Sequence, residues 1–193
     1  MSPRFDKLLV LDMDETLVYA TGEPLPDRPA DFVGPYHVYK RPHVDHFLKT
    51  CLDWFEVGVW TSASRAYAAW ILRELLPDPD RLAFVWTNER CSQKFDHEHH
   101  KHYELKPLKK LKRKTFSRGK YSLSKLIVVD DTPTTFGANY GNGIRVAEYQ
   151  GEADDVELLL LLKYLESIGD AHDVRTIEKR RWRSKARQML DEA

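Results

Sequence analysis

The sequence is short of three things, and each shortage excludes a class of protein. Cysteine is the first: Cys51 and Cys91 are the only two in 193 residues, too few for a disulfide framework. That points to a reducing compartment, and the expectation is a cytoplasmic protein, or a nuclear one if the source is eukaryotic. Net charge is the second. Lys and Arg total 30 and Asp and Glu total 30, so the molecule as a whole exerts no electrostatic pull on nucleic acid or an anionic membrane. Long apolar runs are the third. The longest, residues 66–72, falls far short of the ~18 residues of a membrane span, and the N-terminus carries no apolar signal region. Hydrophobic residues at 42% and charged residues at 31% balance as in ordinary globular proteins, which argues against disorder. The expectation is one soluble domain over 1–193, monomeric, with no membrane partner.

What is present is a series of short apolar runs that end in polar residues. "KLLVLDMDETLVYA" (7–20) turns from Leu8, Leu9, Val10 and Leu11 to Asp12, Asp14 and Glu15. Such a run reads as a strand buried on both faces. "FEVGVWT" (55–61) ends in Thr61 and Ser62, and "KLIVVDD" (125–131) ends in Asp130 and Asp131. Strands are also expected at 82–87 and 143–149, with a hairpin arm at 36–40. Between them, Val44, Phe47, Leu48, Cys51 and Leu52 recur with helical spacing, as do Ala68, Ile71, Leu72, Leu75 and Leu76. Asp154 with Glu157 reads as a capping box opening a helix whose stripe is Leu158, Leu161, Leu162, Leu165 and Ile168. The tail, 174–193, is basic and expected to be helical, its charges facing solvent. Strands alternating with helices give an α/β, doubly wound, Rossmann-like parallel sheet.

In such sheets ligands bind outside the carboxyl ends of the strands, so Asp12, Asp14, Thr61, Ser62, Asp130 and Asp131 are expected at one edge. Carboxylates without His or Cys form a hard oxygen site suited to Mg²⁺. The spacing of Asp12 and Asp14 across Met13 turns both the same way in extended chain.

Four motifs in order then carry a resemblance. "DMDETLV", "VWTSAS", Lys106 in "YELKPL" and "VVDD" resemble the four motifs of haloacid dehalogenase-like phosphatases. "KRPHVDHFL", "VWTSASRAYA" and "VVDDTP" resemble the branch of the small phosphatases of the RNA polymerase C-terminal domain, also called NLI-interacting-factor-like phosphatases. The likeness covers residues 5–168, the core of the domain.

It implies that Asp12 is the nucleophile, forming an aspartyl-phosphate. Asp14 would be the acid and then the base. Thr61, with Ser62 beside it, and Lys106 would bind the phosphoryl oxygens. Asp12, Asp131 and the backbone carbonyl of Asp14 would hold Mg²⁺, with Asp130 buttressing Lys106 or the metal waters. Tyr67 falls near the site by the same likeness. One position departs: eukaryotic relatives usually carry Asn where this chain has Asp131, which bears on metal affinity more than on mechanism.

Only a hairpin-sized insertion separates Asp14 from Thr61 besides one helix. An open site favours a phosphorylated protein side chain, Ser, Thr or Tyr. A nucleic-acid 3′-end phosphatase is the alternative. A non-catalytic module on the same fold is a third reading, against which all the motif residues count. "DHEHHKH" (96–102) matches no standard zinc spacing and reads as a polar loop at the mouth of the site. The basic run 109–120 reads as a solvated face, or else as a guide for an anionic substrate.

Overall fold

Alternation along the apolar run 8–11 divides its side chains between two cores. Leu9 and Leu11 join one buried cluster, Leu8 and Val10 another, because successive strand residues point to opposite faces. The computed structural model describes residues 2–96, 100–113, 116 and 120–192. In chain order, β1 (Leu8–Leu11) leads into β2 (Val18–Thr21), β3 (Asp31–Val33) and β4 (Tyr36–Lys40). Then come α1 (Val44–Trp54), β5 (Glu56–Trp60), α2 (Arg65–Leu75) and β6 (Phe84–Trp86). A hairpin of β7 (Ser92–Asp96) and β8 (Lys101–Leu105) precedes β9 (Leu126–Asp130) and β10 (Gly143–Arg145), and α3 (Glu157–Ile168) and α4 (Trp182–Asp191) follow.

The central sheet has the order β10-β9-β1-β5-β6, and every pairing in it is parallel. From β1 the chain builds outward through β5 to β6, then crosses back to β9 on the other side. The carboxyl end of β1 is therefore a topological switch point, where such sheets open a crevice. The expected doubly wound α/β sheet is present, with β1 buried along its whole length.

The helices follow their stripes. α1 buries Val44, Phe47, Leu48 and Cys51, and α2 buries Ala68, Ile71, Leu72 and Leu75. Ser64 caps α2, its hydroxyl accepting from the Tyr67 N–H. α3 is buried more widely than its expected stripe, Leu160 and Tyr164 included, because α4 covers its outer side. Trp182 of α4 is buried and lies 5.9 Å from the Tyr164 ring.

Four expectations need correction. The insertion after β1 is a three-stranded antiparallel sheet, β2-β4-β3, larger than a hairpin. Asp154 does not cap α3: the Asp155 carboxylate accepts from the Glu157 N–H at 2.9 Å, while Glu157 reaches back to the Ala147 N–H at 2.7 Å. The tail is α-helical only over α4, with a 3₁₀ turn at Val174–Thr176, and its charges do not all face solvent. Lys179 is buried, donating to the carbonyls of Gly141, Val174 and Ile177, and Arg183 pairs with Glu157. The stretch expected as a loop around 96–102 runs out of β7 and into β8; His97, Glu98 and His99 lie outside the described residues, while His102 packs on Phe95 at 5.0 Å.

Gly58 shows how closely β5 and β6 approach. A Cβ there would sit 2.3 Å from the Phe84 ring, which is itself wedged against Trp86. Gly58→Ala is expected to lower stability by about 1–3 kcal/mol through overpacking. Thermal or denaturant unfolding reads this out; an unchanged midpoint would mean the ring shifts freely.

Candidate active site

Asp12 continues the alternation of β1. After Leu8 and Val10 it faces the same side of the sheet, just past the strand, where its N–H is held by the Val129 carbonyl at 2.9 Å. The chain then turns tightly: the Leu17 N–H bonds to the Met13 carbonyl, the Glu15 N–H to the Val18 carbonyl, and Glu15 takes a left-handed φ of 53°. This turn carries Asp14 and Glu15 back over the strand end. Arg41 secures it from behind. Fully buried, it grips Asp155 through two bonds of 3.0 and 2.8 Å and also donates to the carbonyls of Thr16 and Ala147.

Asp130, at the end of neighbouring β9, comes beside Asp12, and Lys106 closes the gap between them. Its Nζ donates to Asp12 Oδ1 at 2.6 Å and to Asp130 Oδ2 at 2.7 Å. All three residues are buried. Lys106 arrives from the end of β8, and its own N–H is fixed by the Thr135 carbonyl at 2.7 Å. Asp130 also accepts from the Thr135 hydroxyl at 2.8 Å and from the Thr132 N–H at 2.9 Å. Asp131 points differently, accepting from the Thr16 hydroxyl at 3.3 Å and the Thr132 hydroxyl at 2.9 Å.

The third side of the site comes from β5. Thr61, directly after the strand, is buried; its hydroxyl donates to Asp14 Oδ2 at 3.2 Å and accepts from the Ala63 N–H at 3.0 Å. Ser62 is exposed and turned toward Cys91, 4.0 Å from its sulfur. The structure does not bring its hydroxyl onto any of the four aspartates. Tyr67, in the first turn of α2, has a buried hydroxyl that lies against Asp14 and among the described residues meets no partner in full hydrogen-bond geometry. Burial and the Asp14 charge raise this phenol well above its ordinary range.

Negative charge is in excess here. Four aspartates face one lysine. Burial raises the Asp12 carboxyl well above the usual range, with the Lys106 charge opposing the rise and Asp130 adding to it. Burial also raises Asp14. Burial, with the charges of Asp14, Asp131 and Glu148, pushes Glu15 to about 7. Burial alone would lower the Lys106 ammonium, but the charges of Asp12 and Asp130 override it and raise it. Carboxylate oxygens of Asp12, Asp130 and Asp131 lie within 4.8 Å of one another. Oxygen donors at that spacing, carrying uncompensated charge, suit a small hard divalent cation. Asp130 has its oxygens committed to Lys106, Thr132 and Thr135, which leaves Asp12 and Asp131 freer to ligate.

Thr16, Thr132 and Thr135, which orient the acids, and Arg41, which braces the turn, are residues that the motifs alone do not single out. A threonine behind each acidic motif, in "DETLV" and "DDTPTT", was the available signal. Within the basic run, Lys110 is structural, its Nζ donating to the Arg90 and Cys91 carbonyls and to the Ser92 hydroxyl. Lys120 pairs with Glu56. Lys114 and Arg118 lie outside the described residues.

The parallel sheet, with its acids and lysine at the switch point, is the α/β fold of haloacid dehalogenase-like phosphatases. Within that class the chain belongs to the NLI interacting factor-like phosphatase family, whose profile matches residues 7–175. It is 28% identical to Nuclear envelope morphology protein 1 of Schizosaccharomyces pombe, over 89% of this chain and 35% of that protein. It is 33% identical to the Probable C-terminal domain small phosphatase of Dictyostelium discoideum, over 89% of this chain and 53% of that protein. The chain thus spans about a third to a half of the length of these two relatives. The solved structure of Fcp1, an RNA polymerase II CTD phosphatase, superposes with a TM-score of 0.55 at 16% identity, over 96% of this chain and 62% of that one; this likeness bears on fold alone.

The cytoplasmic expectation is corrected by the names of the relatives. Besides the fission yeast protein, CTD nuclear envelope phosphatase 1 of Xenopus laevis is 27% identical over 90% of this chain. Few cysteines mark a reducing compartment, and cytoplasm and nucleus are alike in that respect, so the count could not separate them.

Lys106 generates a direct test. Lys106→Met leaves Asp12 and Asp130 buried without a cation, and breaking such a pair typically costs about 3–5 kcal/mol. The orphaned carboxyls would take up protons on folding, so the folded variant binds more protons than the unfolded chain and its stability falls as pH rises. In EDTA, the deficit against wild type should therefore shrink as pH is lowered from about 7 to about 5. A deficit independent of pH would mean that the carboxylates are not left unpaired.

Proposed function

We propose that this protein is a Mg²⁺-dependent phosphatase that hydrolyses phosphomonoesters through an aspartyl-phosphate, acting on phosphoserine, phosphothreonine or phosphotyrosine in a protein. The observation that carries the reading is the Asp12–Lys106–Asp130 cluster at the switch point, with Asp14 held separately by Thr61.

Asp12 is the nucleophile. Its Oδ1 is engaged by Lys106, which orients the carboxylate so that its other oxygen can attack phosphorus. Asp14, on the turn above, donates a proton to the leaving oxygen and then takes one from the water that hydrolyses the intermediate. Burial raises its pKa, which favours the protonated form that the first step uses. The second step needs the same group ionised, as it is once that proton has left. Lys106 neutralises charge building on the phosphoryl oxygens, and the Thr61 hydroxyl can turn from Asp14 to donate to one of them. Asp12, Asp131 and the Asp14 main-chain carbonyl would hold the Mg²⁺. When bound, the ion offsets repulsion between the acids and the phosphoryl group. Ser62 is left out of the phosphate contacts on the geometry above.

A protein substrate is supported by the relatives named as C-terminal domain phosphatases. The names of other relatives favour a nuclear envelope setting. The 3′-end phosphatase reading shares the DxDxT motif, and of the basic run that would favour it Lys110 and Lys120 are engaged by the fold itself.

Asp12→Asn should abolish turnover with the fold intact, since an amide cannot form the phospho-intermediate. Asp14→Asn should be almost as inactive yet accumulate phosphoenzyme. Removal of divalent ions should silence the wild type, and Mg²⁺ should restore it better than Ca²⁺, whose longer, looser ligand shell misplaces Asp12. Steady-state assays on phosphopeptides with circular dichroism of each variant check this. Substantial activity in Asp12→Asn, or in metal-free buffer, would refute the mechanism.

A further inference from the structure

Beside the acidic site lies a cavity of about 330 Å³ whose lining includes Arg145, Lys179, Arg180 and Arg183 together with Tyr140 and, among the described residues, no carboxylate. Three of these cations have partners that account for them. Lys179 donates to three main-chain carbonyls. Arg180 pairs with Glu178 at 2.9 Å, and Arg183 with Glu157. Arg145 is different. It is exposed, and among the described residues no carboxylate pairs with it; its Nε alone is engaged, on the main-chain carbonyl of Asp131 at 3.3 Å. It does not neutralise the Asp131 side chain, whose oxygens accept from Thr16 and Thr132.

Position makes this guanidinium relevant to the site. Arg145 is the register partner of Asp130 in the parallel β9–β10 pair, so both side chains leave the sheet on the same face. Its backbone is held in place: the carbonyl accepts from the Trp182 indole at 2.8 Å and from Arg183 at 3.3 Å. α4 thus fixes the end of β10. The exposed Tyr140 ring and Arg180 form the outer rim.

We propose that Arg145 and this cavity bind an anionic side chain, acidic or phosphorylated, of the substrate polypeptide and so contribute to choosing the substrate. The proposal rests on the phosphoprotein reading above. From β1 to β10 is two strand spacings, about 10 Å, and an extended peptide advances about 3.4 Å per residue. The anionic residue would therefore lie about three positions from the one being dephosphorylated.

The test compares three substrates: a phosphoserine peptide with neutral flanks, the same peptide carrying Glu or a second phosphoserine three positions to either side, and a small aryl phosphate. Wild type should favour an anion-bearing peptide by about three- to tenfold in kcat/KM, mainly through KM. Arg145→Gln should erase that preference and leave aryl phosphate turnover unchanged, while Arg145→Lys should keep part of it. No preference in wild type, a preference that survives Arg145→Gln, or an equal loss on the aryl phosphate would overturn the proposal; the last would assign Arg145 to supporting Asp131. Fluorescence anisotropy of the same peptides on Asp12→Asn, with and without Arg145→Gln, separates the two readings. Failure to hydrolyse any of the substrates would count against the phosphatase reading, whereas equal binding of the neutral and anionic peptides would overturn the subsite.

Discussion

One buried ammonium holds the centre of this protein together. Lys106 sits between Asp12 and Asp130 at 2.6 and 2.7 Å, in surroundings where an unpaired charge would cost several kcal/mol. Each partner comes from a different part of the chain. Asp12 extends β1, Asp130 ends β9, and Lys106 is delivered by the β7–β8 hairpin. The ion cluster therefore joins the switch point of the sheet to a hairpin that shares little of the sheet's core. An apolar trio of similar volume could pack as well or better. Retaining charge here is understandable if the group that orients Asp12 must also meet the oxygens of a transferring phosphoryl group.

The lysine does not balance the site. Asp14, Asp131 and the half-buried Glu15 leave negative charge in excess, and the surrounding threonines orient these acids without neutralising them. An anionic substrate could not approach such a surface unaided. A divalent ion held by Asp12 and Asp131 would resolve that conflict by supplying positive charge at the site. Around this centre the scaffold is braced from behind by Arg41 on Asp155 and by Arg183 on Glu157, both acids lying at the start of α3. The same helix start thus fixes both the turn after β1 and the end of β10.

Much of the fold was legible because its strands are short, apolar and terminated by polar residues, and because the helices keep a clear stripe. Asp12, Asp14, Asp130 and Asp131 could be placed at one edge on topology alone. Lys106 could not: its neighbours in "LKPLKKLKRK" look like solvated lysines, and only the family pattern singled it out. The hairpin that carries it alternates poorly and holds His and Lys at strand positions, so its period was hidden. The capping-box spacing singles out Asp154, whereas the residue that caps is Asp155, held by Arg41, which a spacing rule cannot see. Ser62 was grouped with Thr61 by adjacency, yet the bend after β5 turns successive hydroxyls in different directions. The tail conceals its packing because α4 is a basic helix that buries only Trp182 and Ala186.

The central claim is that Asp12, held by Lys106, is the residue that receives the phosphoryl group. Acid-quenching the enzyme during turnover, reducing with labelled borohydride and mapping the label by mass spectrometry tests it directly, since an acyl phosphate is reduced to the alcohol. The account predicts homoserine at position 12, with Asp14, Asp130 and Asp131 unmodified. Label on any other residue, or none in enzyme that is turning over, would contradict it.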